Sequence, residues 1–136
     1  MNEGPLIEFS YISKATSPMV TLQLIQLFDG AYKFNQAQGI TGVLFYEKQY
    51  FAQILEGNGQ TVSALWKRIR QDPRHEIIRE LSCQNFDKRH FPNWSMRFFG
   101  AENIVKYAPQ LSDCLSELPE DDVHLLTLMR SVAKIA

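Results

Sequence analysis

Residues Gln49 to Gly57, in the order Gln-Tyr-Phe-Ala-Gln-Ile-Leu-Glu-Gly, constrain the fold more than any other stretch. They read as a β-strand closed by a glycine turn. Side chains alternate faces along a strand, so Phe51, Gln53 and Leu55 share one face and Tyr50, Ala52 and Ile54 the other. Both faces are mostly apolar, which makes the strand interior to its sheet. Gln53 is the exception. An unpaired buried amide costs about 1–3 kcal/mol, so Gln53 needs a partner, either a neighbouring backbone group or a bound ligand.

The flanking sequence supplies the other elements. Leu6 to Ser13 reads as a first strand, with Ile7, Phe9 and Tyr11 on the face that looks into the core. A buried tyrosine needs a partner for its hydroxyl. Thr16-Ser17-Pro18 reads as a helix start, with Ser17 as N-cap and Pro18 at the first helical position. That helix runs to about Asn35 on a stripe of Leu24, Phe28 and Ala31, broadened by Ile25 and Tyr32. Asn35 puts a polar end on the stripe. Gly39 to Tyr46 is a second strand, joined through Glu47-Lys48 to the Gln53 strand as a hairpin. Val62, Leu65, Trp66 and Ile69 mark a second helix, which Pro73 stops. A fourth strand spans Glu76 to Phe86, anchored by Ile77, Ile78 and Leu81. Asp87-Lys88-Arg89-His90 is a polar turn, and a fifth strand covers Trp94 to Phe99, with Trp94, Met96 and Phe98 on one face.

Composition excludes several classes. The chain has 136 residues, 45% of them hydrophobic, enough for one domain with a sizeable core. Fourteen basic against fifteen acidic residues, with no basic block, argue against direct nucleic-acid binding. Cys83 and Cys114 are too few and too far apart for a disulfide framework or a zinc site, and free thiols fit a cytoplasmic chain. His90 and His124 have no cysteine or carboxylate at metal-ligand spacing, so no metal is expected. Met1 to Pro5 carries no signal pattern, and no apolar run is long enough to span a membrane.

The order βαββαββ predicts an α+β, ferredoxin-like sheet with both helices on one face. In that arrangement the faces carrying Tyr11, Gln53, and Trp94 with Met96 all look at the helices, and Asn35 points back from the first helix. A tyrosine and two amides then converge in an apolar slot, which suits a planar hydrogen-bonding ligand.

These residues carry a resemblance to the BLUF family, the flavin-binding domains that sense blue light. The matching segments are Tyr11-Ile12-Ser13, Asn35 with Gly39-Ile40-Thr41-Gly42, Phe51 to Gly57, Asp72-Pro73-Arg74-His75, and Asn93-Trp94-Ser95-Met96. Together and in this order they are highly specific, and they span residues 5–100. The resemblance implies oxidised FAD held non-covalently between the two helices. It implies that Asn35 bonds the ring's pyrimidine edge, that Gln53 lies between the ring and the Tyr11 hydroxyl, and that Arg74 and His75 contact the ring or its side chain. Some relatives carry a histidine before the asparagine; here the residue is Phe34, an apolar ring contact. No glycine-rich phosphate loop is present, so the tail is held loosely and FMN or riboflavin would also fit.

The chemistry agrees. Amides give and accept hydrogen bonds at a flavin edge, and a phenol supplies an electron with a proton to an excited flavin. Gln53 would be left rearranged, by rotation or as a tautomer, and a stronger bond to the flavin carbonyl would shift absorption to the red. Trp94 and Met96, expected together on the flavin side, would relay the change into residues 101–136. That extension reads as helices covering the other sheet face, with Ile104, Leu111, Leu115 and Leu118 before Pro119, then Val123, Leu126 and Met129. The expectation is a stand-alone receptor, not an enzyme, acting on an unidentified downstream protein and forming a homo-oligomer. The alternative is a ferredoxin-like interaction or small-ligand module without photochemistry.

Overall fold

The computed structural model describes residues 5–134, the side chain of Ser116 apart; the reading of Met1 to Gly4 lies outside the described residues. In chain order the elements are β1 (Leu6–Ala15), α1 (Thr21–Gln38), β2 (Thr41–Glu47), β3 (Tyr50–Asn58), α2 (Gly59–Gln71), β4 (His75–Phe86), β5 (Arg97–Phe99), α3 (Ala101–Tyr107), α4 (Pro109–Ser116) and α5 (Asp122–Ser131), which ends in a 3₁₀ turn. The sheet order is β4-β1-β3-β2-β5, so β3 is the central strand, as its two apolar faces require. All pairings are antiparallel except β2 with β5.

Strand alternation divides the core in two. Phe9, Tyr11, Leu44, Phe51 and Leu55 pack with α1 and α2 on one face. Ile12, Val43, Phe45, Ala52 and Ile54 pack on the other, against Ile104, Leu111, Leu115, Leu125 and Met129 of the last three helices. The fold is therefore the expected ferredoxin-like α+β sheet with two helices on one face. The extension covers the opposite face with three helices rather than two, because Pro109 breaks the first stretch.

Local chemistry explains several boundaries. The β2–β3 hairpin turns on Lys48 and Gln49, both left-handed (φ 53° and 71°), the backbone of a two-residue turn whose twist matches the strands. The turn is thus one residue later than Glu47-Lys48. Gly39 ends α1 in the left-handed region at φ 68°, with its N–H on the Asn35 carbonyl. Asn58 caps α2 by accepting from the Gln60 N–H at 3.0 Å.

Helix α1 begins later than Ser17-Pro18 implied. The Thr16 N–H donates to the Arg74 carbonyl (2.9 Å) and its hydroxyl to the Pro73 carbonyl (3.0 Å), which ties the chain to the start of β4 before it can coil. Val20 is the N-cap, with Gln23 reaching back to its N–H at 3.0 Å. Ile25, Tyr32, Ile78 and Val123 were expected to be packed but are exposed.

The polar turn at Asp87–His90 is docked rather than solvated. Buried Glu56 accepts from the N–H groups of His90 (2.6 Å) and Phe91 (2.9 Å) and from the Thr41 hydroxyl (3.1 Å). Its cross-strand partner Glu8, also buried, is paired with Arg130 of α5. Arg79 of β4 holds Asp122 (3.1 Å) and the Pro119 carbonyl (2.6 Å), and Ser112 of α4 donates to Glu47 at 2.8 Å. The extension is fixed to the sheet by charge as well as by apolar packing.

Candidate functional site

Between α1 and α2, over the centre of the sheet, lies a slot of about 370 Å³. Tyr11 comes from β1, Gln53 from β3, Asn35 from the last turn of α1, and Asp72, Arg74 and His75 from the segment between α2 and β4. Leu27, Ala31, Leu44, Leu65 and Ile69 provide apolar walls.

Tyr11 and Gln53 are direct cross-strand partners, and the Tyr11 hydroxyl donates to Gln53 Oε1 at 2.5 Å. With its oxygen engaged, the amide turns Nε2 toward Met96 Sδ, 4.0 Å away. A thioether is a weak acceptor, so the amide N–H groups keep most of their donor capacity for another partner. Asn35 Nδ2 donates to the Ser95 carbonyl at 2.9 Å, which holds its carboxamide against the slot. His75 is oriented at both nitrogens, by the Ser13 hydroxyl (2.8 Å) and the Ile69 carbonyl (2.6 Å).

Burial, with a smaller push from the Asp72 charge, raises the Tyr11 phenol well above its ordinary value, so it stays neutral. Hydrogen bonds from Arg74 hold the Asp72 carboxyl below the usual carboxylate range, and the same contact raises Arg74. A planar ring with carbonyl and nitrogen atoms on one edge fits this site: a slot of suitable volume, apolar walls, two amides and a neutral phenol. The donor set matches a flavin, with Asn35 and Gln53 placed to bond its edge.

A family model described as sensors of blue light using FAD matches residues 6–97. The chain belongs to the BLUF family. It is 34% identical over 129 residues to the photoactivated adenylate cyclase subunit alpha of Euglena gracilis, covering 95% of this chain and 13% of that protein's length. Among solved structures it resembles BlrB, a BLUF protein in its dark state, at a TM-score of 0.83 and 30% identity over 97% of this chain and 98% of that one. It also resembles the photo-activated state of BlsA, at a TM-score of 0.78 and 26% identity over 96% of each chain.

This BLUF domain brings Tyr11, Asn35, Gln53, Arg74 and His75 to one slot. Met96 reaches Gln53, but Trp94 does not share its face. Strand β5 begins only at Arg97, so strand alternation does not extend back to residue 94. Trp94 stacks on Phe91 at 5.5 Å and lies 6.2 Å from Phe99, on the side of the C-terminal helices, with Arg97 over its ring at 4.7 Å. Asp72 and Arg68, which also line the slot, were missed by sequence reasoning. Asp72 sat inside a matched segment yet was read only beside the proline that ends α2. Nothing local marked Arg68. The fold also sets His90 beside Glu8 and Glu56, with ligand-type atoms within 4.8 Å of one another, which spacing in the sequence did not show. Arg130 and Ser82 hold Glu8, and backbone donors hold Glu56, so the protein itself satisfies the cluster.

Proposed function

We propose that this BLUF domain converts blue light into a changed Gln53 side chain and passes that change through Met96 and β5 to residues 101–136. The family binds FAD, and this chain is a sensor of that kind. The observation that carries the mechanism is the 2.5 Å hydrogen bond from Tyr11 to Gln53 Oε1 inside the slot.

Bound oxidised flavin supplies, once excited, an oxidant strong enough to take an electron from a phenol. Tyr11 is held neutral by burial, so its electron leaves together with its proton. The acceptor in contact is Gln53 Oε1. Protonation there removes the preference that fixed the amide. When electron and proton return to Tyr11, Gln53 is left rotated or as a tautomer. Either form changes what Gln53 offers the ring edge and what it offers Met96, now 4.0 Å from Nε2. Met96 leads into β5, and β5 into α3.

In this reading residues 5–100 form the photosensory unit and 101–136 the helical extension that an effector reads. The relatives named photoactivated adenylate cyclases support a downstream effector, and this chain spans only a small part of their length. We therefore assign it no catalysis of its own and place its output in contacts with an unidentified protein and with a second copy of the chain, in the cytoplasm. Among the described residues no helix is long and apolar enough to cross a membrane.

Absorption spectroscopy tests this. The purified protein should be yellow, and blue light should move its flavin bands reversibly to the red. A protein that stays colourless after flavin addition, or that is reduced to a stable radical without a red-shifted product, would contradict it.

A further inference from the structure

We propose that Arg68 selects phosphorylated flavins, FMN and FAD, over riboflavin. The inference rests on the slot being the flavin site and goes beyond it. Four charged or titratable side chains among the described residues line the slot: Arg68, Asp72, Arg74 and His75. Three of them are already engaged. Arg74 Nε donates to both Asp72 carboxylate oxygens at 3.0 Å and its terminal nitrogen to one of them at 2.5 Å, a neutral pair. Both His75 nitrogens are held by Ser13 and Ile69.

Arg68 differs. Among the described residues no carboxylate pairs with it, and its guanidinium lies over the Phe34 ring at 4.9 Å. Stacking fixes the plane of the guanidinium and leaves its N–H edge to meet an anion. The facing wall, on α1, is open: Gly30 lines the slot, and a Cβ built there would meet nothing within 4 Å. A tail leaving the ring on that side passes between Gly30 and Arg68. Since the chain has no glycine-rich phosphate loop, Arg68 is the group with the chemistry to read the phosphate. Riboflavin, which lacks it, gains nothing from Arg68.

Flavin-free full-length protein titrated with riboflavin, FMN and FAD tests this. FMN should bind more tightly than riboflavin at low salt, and the preference should shrink as salt rises. Arg68→Gln should weaken FMN and FAD by roughly three- to tenfold, the scale of an exposed ion pair to a charged group, and leave riboflavin within about twofold. Arg68→Lys should fall between the two. Arg70→Gln, on the same helix but off the slot, should change neither. Equal loss for all three flavins would assign Arg68 to packing on Phe34 and overturn the proposal. So would an FMN-to-riboflavin ratio that ignores salt in the unaltered protein, a test that needs no variant. Failure of the unaltered protein to bind any flavin would instead overturn the reading of the slot.

Discussion

Tyr11 and Gln53 face each other across β1 and β3 on the α1–α2 side, and three residues back along β1, Glu8 faces Glu56 across the same two strands. An odd offset reverses the face, so the second pair looks at the C-terminal helices. One strand ladder therefore carries the phenol–amide pair on one side and, on the other, the carboxylates that anchor Arg130 and the His90 turn. The light-sensitive bond and the seat of the extension share a backbone.

Removing either member of the pair separates binding from photochemistry. Gln53→Leu and Tyr11→Phe should both retain flavin and lose the normal red-shifted state. Difference spectra under blue light check this, and a normal photocycle in Gln53→Leu would sink the mechanism.

Asn35→Ala deletes the bond to the Ser95 carbonyl and one ring-edge partner. It should lower stability by about 1 kcal/mol and weaken flavin binding or alter the dark spectrum. Flavin titration with urea unfolding reads both, and unchanged values in both would show that Asn35 has no role in the slot.

Met96 and Trp94 should now behave differently. Met96→Ala should blunt the light-induced change in amide exchange after Ala101 while leaving the red shift largely intact. Trp94→Ala, which removes a ring stacked on the C-terminal side, should lower thermal stability with little effect on the flavin bands. An equal tail response in Met96→Ala would exclude the route through this strand.

Tyr11 predicts an alkaline limit. Below about pH 10 a phenol is neutral in folded and unfolded chains alike, so its contribution is fully present. Burial raises the folded value, so above pH 10 the unfolded chain ionises first. Stability then falls as pH rises, by up to about 1.4 kcal/mol per pH unit for this group. Urea unfolding between pH 9 and 11 should show a shallower loss in Tyr11→Phe. Parallel slopes would mean that the phenol is not buried in the neutral form.

Gly42→Ala should damage the sheet. A Cβ at Gly42 would lie 2.0 Å from the Ile54 carbonyl oxygen, a backbone atom of the central strand. The strands must part, at a cost of roughly 2–4 kcal/mol, readable as a large fall in Tm. A Tm within a degree or two of the original would show that β2 and β3 can shift apart freely.

The sequence by itself determined the sheet and the residues that meet in it. Alternation along Gln49–Gly57 made β3 central, the βαββαββ order placed two helices on one face, and the local motifs marked Tyr11, Asn35 and Gln53. Period and order are properties of the chain and need no third dimension. The tertiary structure decided what depends on residues remote in sequence. Thr16 is tied to Pro73 and Arg74, which delays α1. Trp94 turns to the opposite face because β5 pairs with β2 only from Arg97, so the alternation assumed for residues 94–99 had no ladder to enforce it before that point. Glu8, Glu56 and Arg130 looked like surface charges and are instead a buried anchor, because burial of a charge is set by partners that folding brings from the far end of the chain.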